Sequence, residues 1–266
     1  MNSSPTKLIL EQLNNHYILF RHGQSKANIA KIVVSRPENG IPSKGVGPPS
    51  PYSTSNEGNG WGLTEFGKEQ VKTASQDLMN YFQNKFPSKF YQRNQEIDDD
   101  KLHNSSTNQF SLSENFHIKI FTSPFIRSVE TANILLEELL LINNISFTIY
   151  PKVIIHDDLR ERNFGIFELK SDHESYSKVW EMDESFVDVN KYKEFEIETC
   201  EQVRSRMCNL VNEIEQQSQQ SQQRPLIAIL VSHGDSLQIL QTAFENVNPN
   251  LHRSLNHLET AQWRAF

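Results

Sequence analysis

Cysteine is scarce in this chain of 266 residues, which contains only Cys200 and Cys208. The two lie in one predicted helical segment, a spacing that does not indicate a disulfide framework or a zinc site, and a reducing compartment fits best. Long apolar runs are also absent. None approaches the length that a bilayer requires, and residues 1–11 lack the apolar stretch of a signal peptide. The expected location is therefore the cytoplasm.

Positive charge is not in excess either, since 26 Lys and Arg residues stand against 33 Asp and Glu residues, for a net charge of -7. This balance gives no broad basic field to attract nucleic acid or an anionic membrane, so neither is expected as a partner. An anionic ligand would need a local pocket of cations.

The length suits one α/β domain over residues 1–266, with polar insertions at about 32–61 and 85–115. The first insertion is rich in Pro, Gly and Ser and is predicted to be a long loop, and the second is predicted to be solvated. The Gln/Ser tract 216–223 is interpreted as a spacer in which the preceding helix ends.

Apolar runs predict the strands. Residues 17–20 and 226–231 read as buried strands, 117–121 as another, 149–155 as a third apolar stretch, and the last residues as an edge strand. Helices are predicted between them from capping signals. These signals are Thr64, Ser123-Pro124 (which puts Arg127 about one turn into its helix), Thr199 with Gln202, and Asp235 with Gln238.

The alternation of strands and helices predicts a three-layer α/β/α sandwich with a mostly parallel central sheet, whose ligand site lies at the carboxyl ends of the strands. Two segments with similar sequences are predicted to lie at the carboxyl ends of strands: Ile18 to Ser25 and Ile229 to Ser236. Each places a histidine, His22 or His233, just after the carboxyl end of a strand. The glycine that follows allows a tight turn, and a helix N-terminus just beyond supplies N–H donors for an anion.

These residue types suit a phosphate site. Arg21 and Arg127 offer planar, bidentate donors for phosphate oxygens, and Asn28 adds a neutral donor. A neutral imidazole can attack phosphorus in line and form a phosphohistidine without a metal if cations surround the equatorial oxygens. The leaving oxygen then needs a proton from a carboxylic acid with a raised pKa. Glu161 is the candidate, and Asp235 is a physically reasonable alternative.

The separately placed motifs resemble the histidine phosphatase superfamily, in its phosphoglycerate-mutase-like branch, in order over roughly residues 17 to 245. They are Arg21-His22-Gly23-Gln24-Ser25 with Asn28, Leu63 to Gly67, Ser123 to Ala132, Leu159 to Gly165, and Ser232-His233-Gly234.

The resemblance implies a phosphoglycerate-mutase-like fold and a catalytic group of His22, Glu161 and His233. His22 would be the nucleophile and Glu161 the proton donor. The phosphoryl group would be held by Arg21, Asn28, Arg127 and His233. Members of the superfamily differ in the acid that protonates the leaving group, so Asp235 stays an alternative.

Plainer interpretations exist for several of these residues. Arg127 could be a surface arginine paired with Glu130, and Glu161 a solvated charge beside Arg160 and Arg162. The acidic residues between Glu168 and Glu198 are expected to form a solvated face. The remaining histidines are expected to be structural or at the surface: His103, His156, His173, His252 and His257.

Three functions compete: a hydrolase, a mutase and an inactive phosphate-binding relative. A mutase of the phosphoglycerate type must also hold a carboxylate, yet residues 168–174 lack the expected arginine pair, and Asp235 stands where those enzymes carry a neutral amide. An inactive relative would be expected to lose one of the key residues, and none is missing. The sequence therefore predicts a metal-independent phosphomonoesterase without a cofactor, acting on a small phosphorylated substrate, and leaves substrate identity and oligomeric state open.

Overall fold

The computed structural model describes residues 13–41, 61–86, 116–141, 147–220 and 226–266. Its strands are β1 (His16–Arg21), β2 (Phe116–Thr122), β3 (Phe147–Ile149), β4 (Ile154–Ile155), β5 (Leu226–Ser232) and β6 (Trp263–Ala265). Its helices are α1 (Lys26–Ala30), α2 (Pro37–Gly40), α3 (Glu65–Lys85), α4 (Ile126–Leu140), α5 (Asp172–Glu184), α6 (Val189–Glu194), α7 (Cys200–Gln220) and α8 (Gly234–Phe244). Short 3-10 turns occur at Asp157–Leu159, Gly165–Phe167 and Pro249–Ser254.

The six strands form one sheet in the order β3-β2-β5-β1-β6, with β4 also paired to β2. All pairings are parallel except that of β6, which runs antiparallel to β1 at the edge. Both the mostly parallel sheet and the C-terminal edge strand are therefore confirmed.

Helices cover both faces of the sheet, and the alternation of side chains along β1 shows how. Tyr17 and Leu19 point into a core built with α7 and α8, whereas Ile18 and Phe20 point into a second core built with α3 and α4. Successive strand residues face opposite sides, so a strand that is apolar throughout can serve two layers. The predicted three-layer sandwich is confirmed.

The strand register brings three functional turns together. Arg21 pairs with Ser232, and Thr122 pairs with Val231, so β1, β5 and β2 end side by side. The pairing continues for one residue, since the His22 N–H donates to the Ser232 carbonyl at 3.0 Å. The residues that follow each strand are consequently neighbours at the carboxyl edge of the sheet.

Two helix starts differ from the prediction. The N-cap of α4 is Phe125 rather than the Ser123-Pro124 pair, so Arg127 is the second helical residue. The N-cap of α8 is His233, and Asp235 lies inside the first turn. An acidic residue is favourable at either place, because the helix N-terminus carries partial positive charge, so the sequence does not separate them. Gln238 is not a capping partner, since its amide donates to the Leu255 carbonyl at 2.7 Å.

Two other predicted helix caps are confirmed, whereas two predicted segments differ from the structure. Thr64 accepts from the Gly67 N–H at 2.9 Å, which confirms it as the cap of α3, and Thr199 and Gln202 form the predicted capping box. The stretch 149–155 is divided between two short strands by Pro151, which has no N–H to donate to a ladder. The start of the Gln/Ser tract, up to Gln220, is helical.

Much of the two predicted insertions, together with the end of the Gln/Ser tract, lies outside the described residues, at 42–60, 87–115 and 221–225. Within the described part of the first insertion, α2 forms a single turn that begins at Pro37. No helix in the described ranges is both long and apolar enough to cross a bilayer.

Candidate active site

His22 is the first residue after β1, and its ring is buried. Its Nδ1 lies 2.7 Å from the Gly23 carbonyl, so Nδ1 carries the proton and donates it, which leaves the lone pair on Nε2. Burial, followed by the charges of Arg127 and Arg21, holds the pKa of His22 well below its ordinary value. The ring is therefore the neutral, nucleophilic tautomer with Nε2 facing the site.

Arg127 links the two histidines. Its Nε lies 3.2 Å from His22 Nε2 and 3.2 Å from His233 Nδ1, and its Nη2 donates to the Val34 carbonyl at 2.9 Å. The side chain is 4% exposed and packs over the Phe125 ring, so the alternative of a surface arginine paired with Glu130 is wrong. The remaining nitrogen, Nη1, is buried without a hydrogen-bond partner among the described residues.

His233, the N-cap of α8, is fully buried. Its Nδ1 accepts from Arg127, so its Nε2 carries the proton and donates to the Ser123 hydroxyl at 2.8 Å. Burial, then the charges of Arg127 and His22, lower the pKa of His233 well below its usual range. Two neutral imidazoles, with ring centroids 5.1 Å apart, thus flank one arginine.

Arg21 brings a second guanidinium to the same edge. Its Nη1 lies 2.8 Å from His257 Nε2 and donates to the Leu258 carbonyl at 2.7 Å. The group lies against Gly234, where a Cβ would come within 3.1 Å of the Arg21 Cζ. Arg21 Nε is buried and unpaired among the described residues, like Arg127 Nη1. Unpaired buried donors are costly, and an anion such as phosphate would satisfy both.

Glu161 lies on the other side of His233, with Oε2 at 4.0 Å from His233 Nδ1. Its Oε1 accepts from the Arg162 N–H at 2.9 Å and from the Ser236 hydroxyl at 3.0 Å. The side chain is buried, so the alternative of a solvated charge is wrong. Burial and the negative charge of Asp235 raise the pKa of Glu161 despite the opposing charge of Arg127. Glu161 is thus suited to hold a proton.

Asp235 has the opposite electrostatics. Its Oδ1 contacts the Trp180 indole N–H at 2.8 Å and His252 Nε2 at 3.1 Å, and its Oδ2 accepts from Arg162 at 3.2 Å. Burial alone would raise the pKa of Asp235, but His252, Arg162 and Trp180 outweigh it and hold the pKa far below its ordinary value. Asp235 is therefore an ionised partner of these groups and poorly suited to donate a proton.

The acidic stretch between Glu168 and Glu198 is not simply a solvated face. Asp183 is fully buried, and both of its oxygens accept from the Arg162 guanidinium, at 2.7 and 2.8 Å. Glu198 binds Arg160 and Arg206, and Glu168 accepts from the Ser35 N–H at 2.8 Å. The expectation fails for Asp183, Glu168 and Glu198, because these carboxylates find cationic or N–H partners that are distant in the sequence. It is confirmed for the exposed acidic residues of the stretch, which are Glu174, Glu181, Glu184, Asp188, Glu194 and Glu196.

Asn28 lies beside the His22 turn but is engaged in a local structure. Its side-chain oxygen accepts from the Ser25 N–H at 2.9 Å and from the Ser25 hydroxyl at 2.8 Å, which completes the capping box of α1. These bonds occupy the amide oxygen as an acceptor and use none of the amide N–H groups. A contact of that amide with phosphate stays a prediction.

Several residues near the site were not recognised from the sequence. The sequence assigns no role to Arg162, Trp180 and Arg253, and it predicts that His252 and His257 are structural or at the surface. His252 contacts Asp235, and His257 contacts Arg21, so both support site residues. A weak signal existed for Arg162, which belongs to the same turn as Glu161.

One group of side chains has the composition of a metal site: ligand atoms of Asp183, Cys200 and His252 lie within 4.8 Å of one another. The oxygens of Asp183 already accept from Arg162 and from the Tyr192 hydroxyl, so that carboxylate is satisfied without an ion. A guanidinium bound to the same carboxylate also opposes a cation. The donor set does not fit a metal.

The fold and the site define an α/β protein that presents two histidines and two arginines as an anion pocket at the carboxyl edge of a parallel sheet. The chain belongs to the histidine phosphatase superfamily (branch 1), whose sequence model matches residues 108–266. This range contains Arg127, Glu161 and His233, whereas the Arg21-His22-Gly23 turn precedes it. The family predicted from the motifs is confirmed. No curated protein sequence matches the chain significantly.

Solved structures share the fold across nearly the whole chain. Mycobacterial hydrolase 1 is 17% identical with a TM-score of 0.57, over 94% of this chain and 88% of that chain. A mycobacterial glucosyl-3-phosphoglycerate phosphatase is 16% identical with a TM-score of 0.56, over 94% and 89%. The phosphoserine phosphatase of Entamoeba histolytica, in complex with 3-phosphoglyceric acid, is 14% identical with a TM-score of 0.55, over 95% and 90%. At these identities the likeness establishes the fold alone.

Proposed function

We propose that this protein is a phosphomonoesterase that acts through a covalent phosphohistidine on His22. The observation that carries the proposal is the neutral His22 Nε2 beside Arg127, together with two buried guanidinium nitrogens that have no hydrogen-bond partner in the described part of the chain, Arg127 Nη1 and Arg21 Nε. A nucleophile next to unsatisfied cationic donors is the arrangement that phosphoryl transfer requires, because charge spreads over the equatorial phosphate oxygens as the transition state forms.

The reaction proceeds in two displacements. His22 Nε2 forms a bond to phosphorus while the bond from phosphorus to the leaving oxygen breaks, and Glu161 gives its carboxylic proton to that oxygen. The Glu161 carboxylate then accepts a proton from a water molecule that attacks phosphorus, and the bond between phosphorus and His22 breaks. Inorganic phosphate leaves and both groups return to their starting states.

Arg21 and Arg127 hold the phosphoryl group during both steps, and the Asn28 amide can add a donor. His233 joins them when a phosphate oxygen replaces its Nδ1 as the partner of Arg127 Nε, because Nδ1 can then carry the ring proton and donate it to phosphate. Glu161 is the proton donor in preference to Asp235, because their environments drive the two pKa values in opposite directions. The chemistry needs no metal, since the cations are supplied by the arginines. We place the enzyme in the cytoplasm, with a small phosphorylated metabolite as substrate.

The test is hydrolysis of para-nitrophenyl phosphate in EDTA by the purified protein, by a His22→Ala variant and by a His173→Ala variant. His173 lies exposed on α5 and makes a matched control. We expect turnover that survives chelation, disappears in His22→Ala and persists in His173→Ala. A folded wild-type protein with no more activity than His22→Ala would refute the proposed hydrolase.

A further inference from the structure

Arg253 is a cation beside the site that has no acidic partner among the described residues. Its guanidinium lies over the Trp180 ring, with Cζ 3.9 Å from the ring centroid, and its Nη1 donates to the Gln238 amide oxygen at 2.5 Å. The other two nitrogens, Nε and Nη2, make no hydrogen bond within the described ranges. The group is therefore held in place by neutral contacts, and no carboxylate of the described residues pairs with its charge.

The His257 ring lies between Arg253 and Arg21, one of the two arginines of the proposed phosphate site. Arg253 Nη1 is 3.4 Å from His257 Nδ1, and His257 Nε2 is 2.8 Å from Arg21 Nη1. Burial, followed by the charges of Arg21 and Arg253, lowers the pKa of His257 to about 4, so the ring between the two arginines is neutral. Two acids act on the His257 ring, Glu259 and Asp235. Glu259 lies 3.9 Å from Arg21 with its side chain 73% exposed, so it screens the arginines only weakly, and Asp235 is already bound to Arg162 and His252.

The Trp180 ring that carries Arg253 is also bonded to a residue of the site. Trp180 is fixed by its indole N–H to Asp235, two residues after His233, and it stacks on Tyr176 at 5.3 Å with an interplanar angle of 14°. Burial, then the charge of Glu161, raise the pKa of Tyr176. The Tyr176 hydroxyl itself donates to no described residue. Arg253 and the Trp180 ring beneath it thus adjoin the site at two points, Arg21 through His257 and Asp235 through the indole N–H.

We propose that Arg253, supported by Trp180 and Gln238, is a subsite for a second anionic group on the leaving-group portion of the substrate. Resting on the proposed phosphatase function, this assigns the substrate class: phosphomonoesters whose alcohol part carries a carboxylate or another phosphate. An arginine whose position is fixed before binding loses little conformational entropy when an anion arrives, and its planar fork binds carboxylate or phosphate with two hydrogen bonds.

The kinetic test uses two substrates that differ only in the distal group. 3-Phosphoglycerate ends in a carboxylate, and glycerol 3-phosphate ends in a neutral hydroxymethyl group. We expect the wild type to prefer 3-phosphoglycerate in kcat/KM, and Arg253→Gln to reduce the ratio of the two values by about tenfold, the loss of one charge-assisted hydrogen bond. Arg253→Lys is expected to restore part of the ratio. Arg204→Gln, on α7, is the matched arginine control and leaves the ratio unchanged.

A second pair of substrates, fructose 1,6-bisphosphate and fructose 6-phosphate, repeats the comparison with a phosphate in place of the carboxylate. The two pairs together identify which anion the subsite prefers. If the ratio of kcat/KM values were the same in the wild type and in Arg253→Gln for both pairs, the proposed subsite would be overturned. Activity on para-nitrophenyl phosphate would then still support the proposed phosphatase.

Calorimetric binding to the His22→Ala variant tests the subsite without turnover. We expect this variant to bind 3-phosphoglycerate more tightly than glycerol 3-phosphate, and the double variant with Arg253→Gln to lose the difference. Equal affinities in His22→Ala for both anionic substrates and their neutral counterparts would overturn the proposal, whether or not the wild type is a hydrolase.

Discussion

Arg162 Nη1 lies 3.2 Å from Asp235 Oδ2, and the same fully buried guanidinium donates hydrogen bonds to both oxygens of Asp183. This contact helps to keep Asp235 ionised at the first turn of α8. The charge of Asp235 in turn raises the pKa of Glu161. Two carboxyl groups in one pocket thus separate into an anion and an acid, because His252 and then Arg162 lower the pKa of Asp235.

The first prediction concerns leaving groups. Glu161→Gln removes the proton donor, so we expect kcat/KM for an alkyl phosphate to fall by about 10²- to 10⁴-fold, the usual contribution of general acid catalysis. The loss should be much smaller for para-nitrophenyl phosphate, because nitrophenolate departs without a proton. Steady-state kinetics with both esters measures this, and equal losses for the two would assign Glu161 a role other than proton donation.

The second prediction concerns pH. Activity needs His22 deprotonated and Glu161 protonated, so it is lost as pH falls through the lowered pKa of His22 and as pH rises through the raised pKa of Glu161. Asp235→Asn removes a negative charge beside Glu161 and lowers its pKa. The basic limb of the kcat/KM profile should then move to lower pH while the acidic limb stays in place. A basic limb that does not move would show that the charge of Asp235 does not raise the pKa of Glu161.

The third prediction concerns stability. Asp183→Asn leaves the buried Arg162 with an incomplete partner, and breaking a buried ion pair costs about 3–5 kcal/mol. We expect the free energy of unfolding in a denaturant titration to fall by an amount of this order. Glu65→Gln breaks an exposed ion pair on α3 with Lys68 and serves as the control, with little change expected. Equal midpoints for the two variants would contradict the energetic importance of the buried pair.

The fourth prediction concerns the approach of α3 to the His22 turn. A Cβ on Gly67 would lie 2.1 Å from the Gln24 carbonyl oxygen, so the turn must shift to admit one. Alanine normally stabilises a helix relative to glycine by about 1 kcal/mol, yet Gly67→Ala should destabilise the protein by about 1–3 kcal/mol and reduce kcat. Thr73→Ala on the exposed side of the same helix is the control. Thermal unfolding and turnover together measure the effect, and a stabilised, fully active Gly67→Ala variant would refute it.

Much of the fold and the core of the site follow from the sequence because they depend on local signals. The apolar runs that end at Arg21 and Ser232 predict adjacent strand ends, and parallel pairing then brings His22 and His233 together. The motif around Arg127 adds the third member. These inferences need only periodicity, turn chemistry and the order of the strands.

The electrostatic surroundings of the site do not follow in the same way. Arg162 and Asp183 are 21 residues apart in segments that read as polar, and only tertiary packing makes them a buried pair. Arg253 likewise depends on Trp180 of α5 and Gln238 of α8 for its position. The N-cap of α8 is ambiguous for a different reason, since Asp235 is equally acceptable as a cap and as a first-turn residue.

The central claim is that phosphate becomes bound to His22, and trapping the intermediate tests it most directly. Wild-type protein is mixed with a phosphomonoester, quenched in base, in which phosphohistidine survives, and digested for peptide mass spectrometry beside His22→Ala and Glu161→Gln. Phosphate on the peptide that contains His22, absent from His22→Ala, is the predicted result. Active wild-type protein that carries phosphate on no histidine, or on His233 instead, would contradict the account.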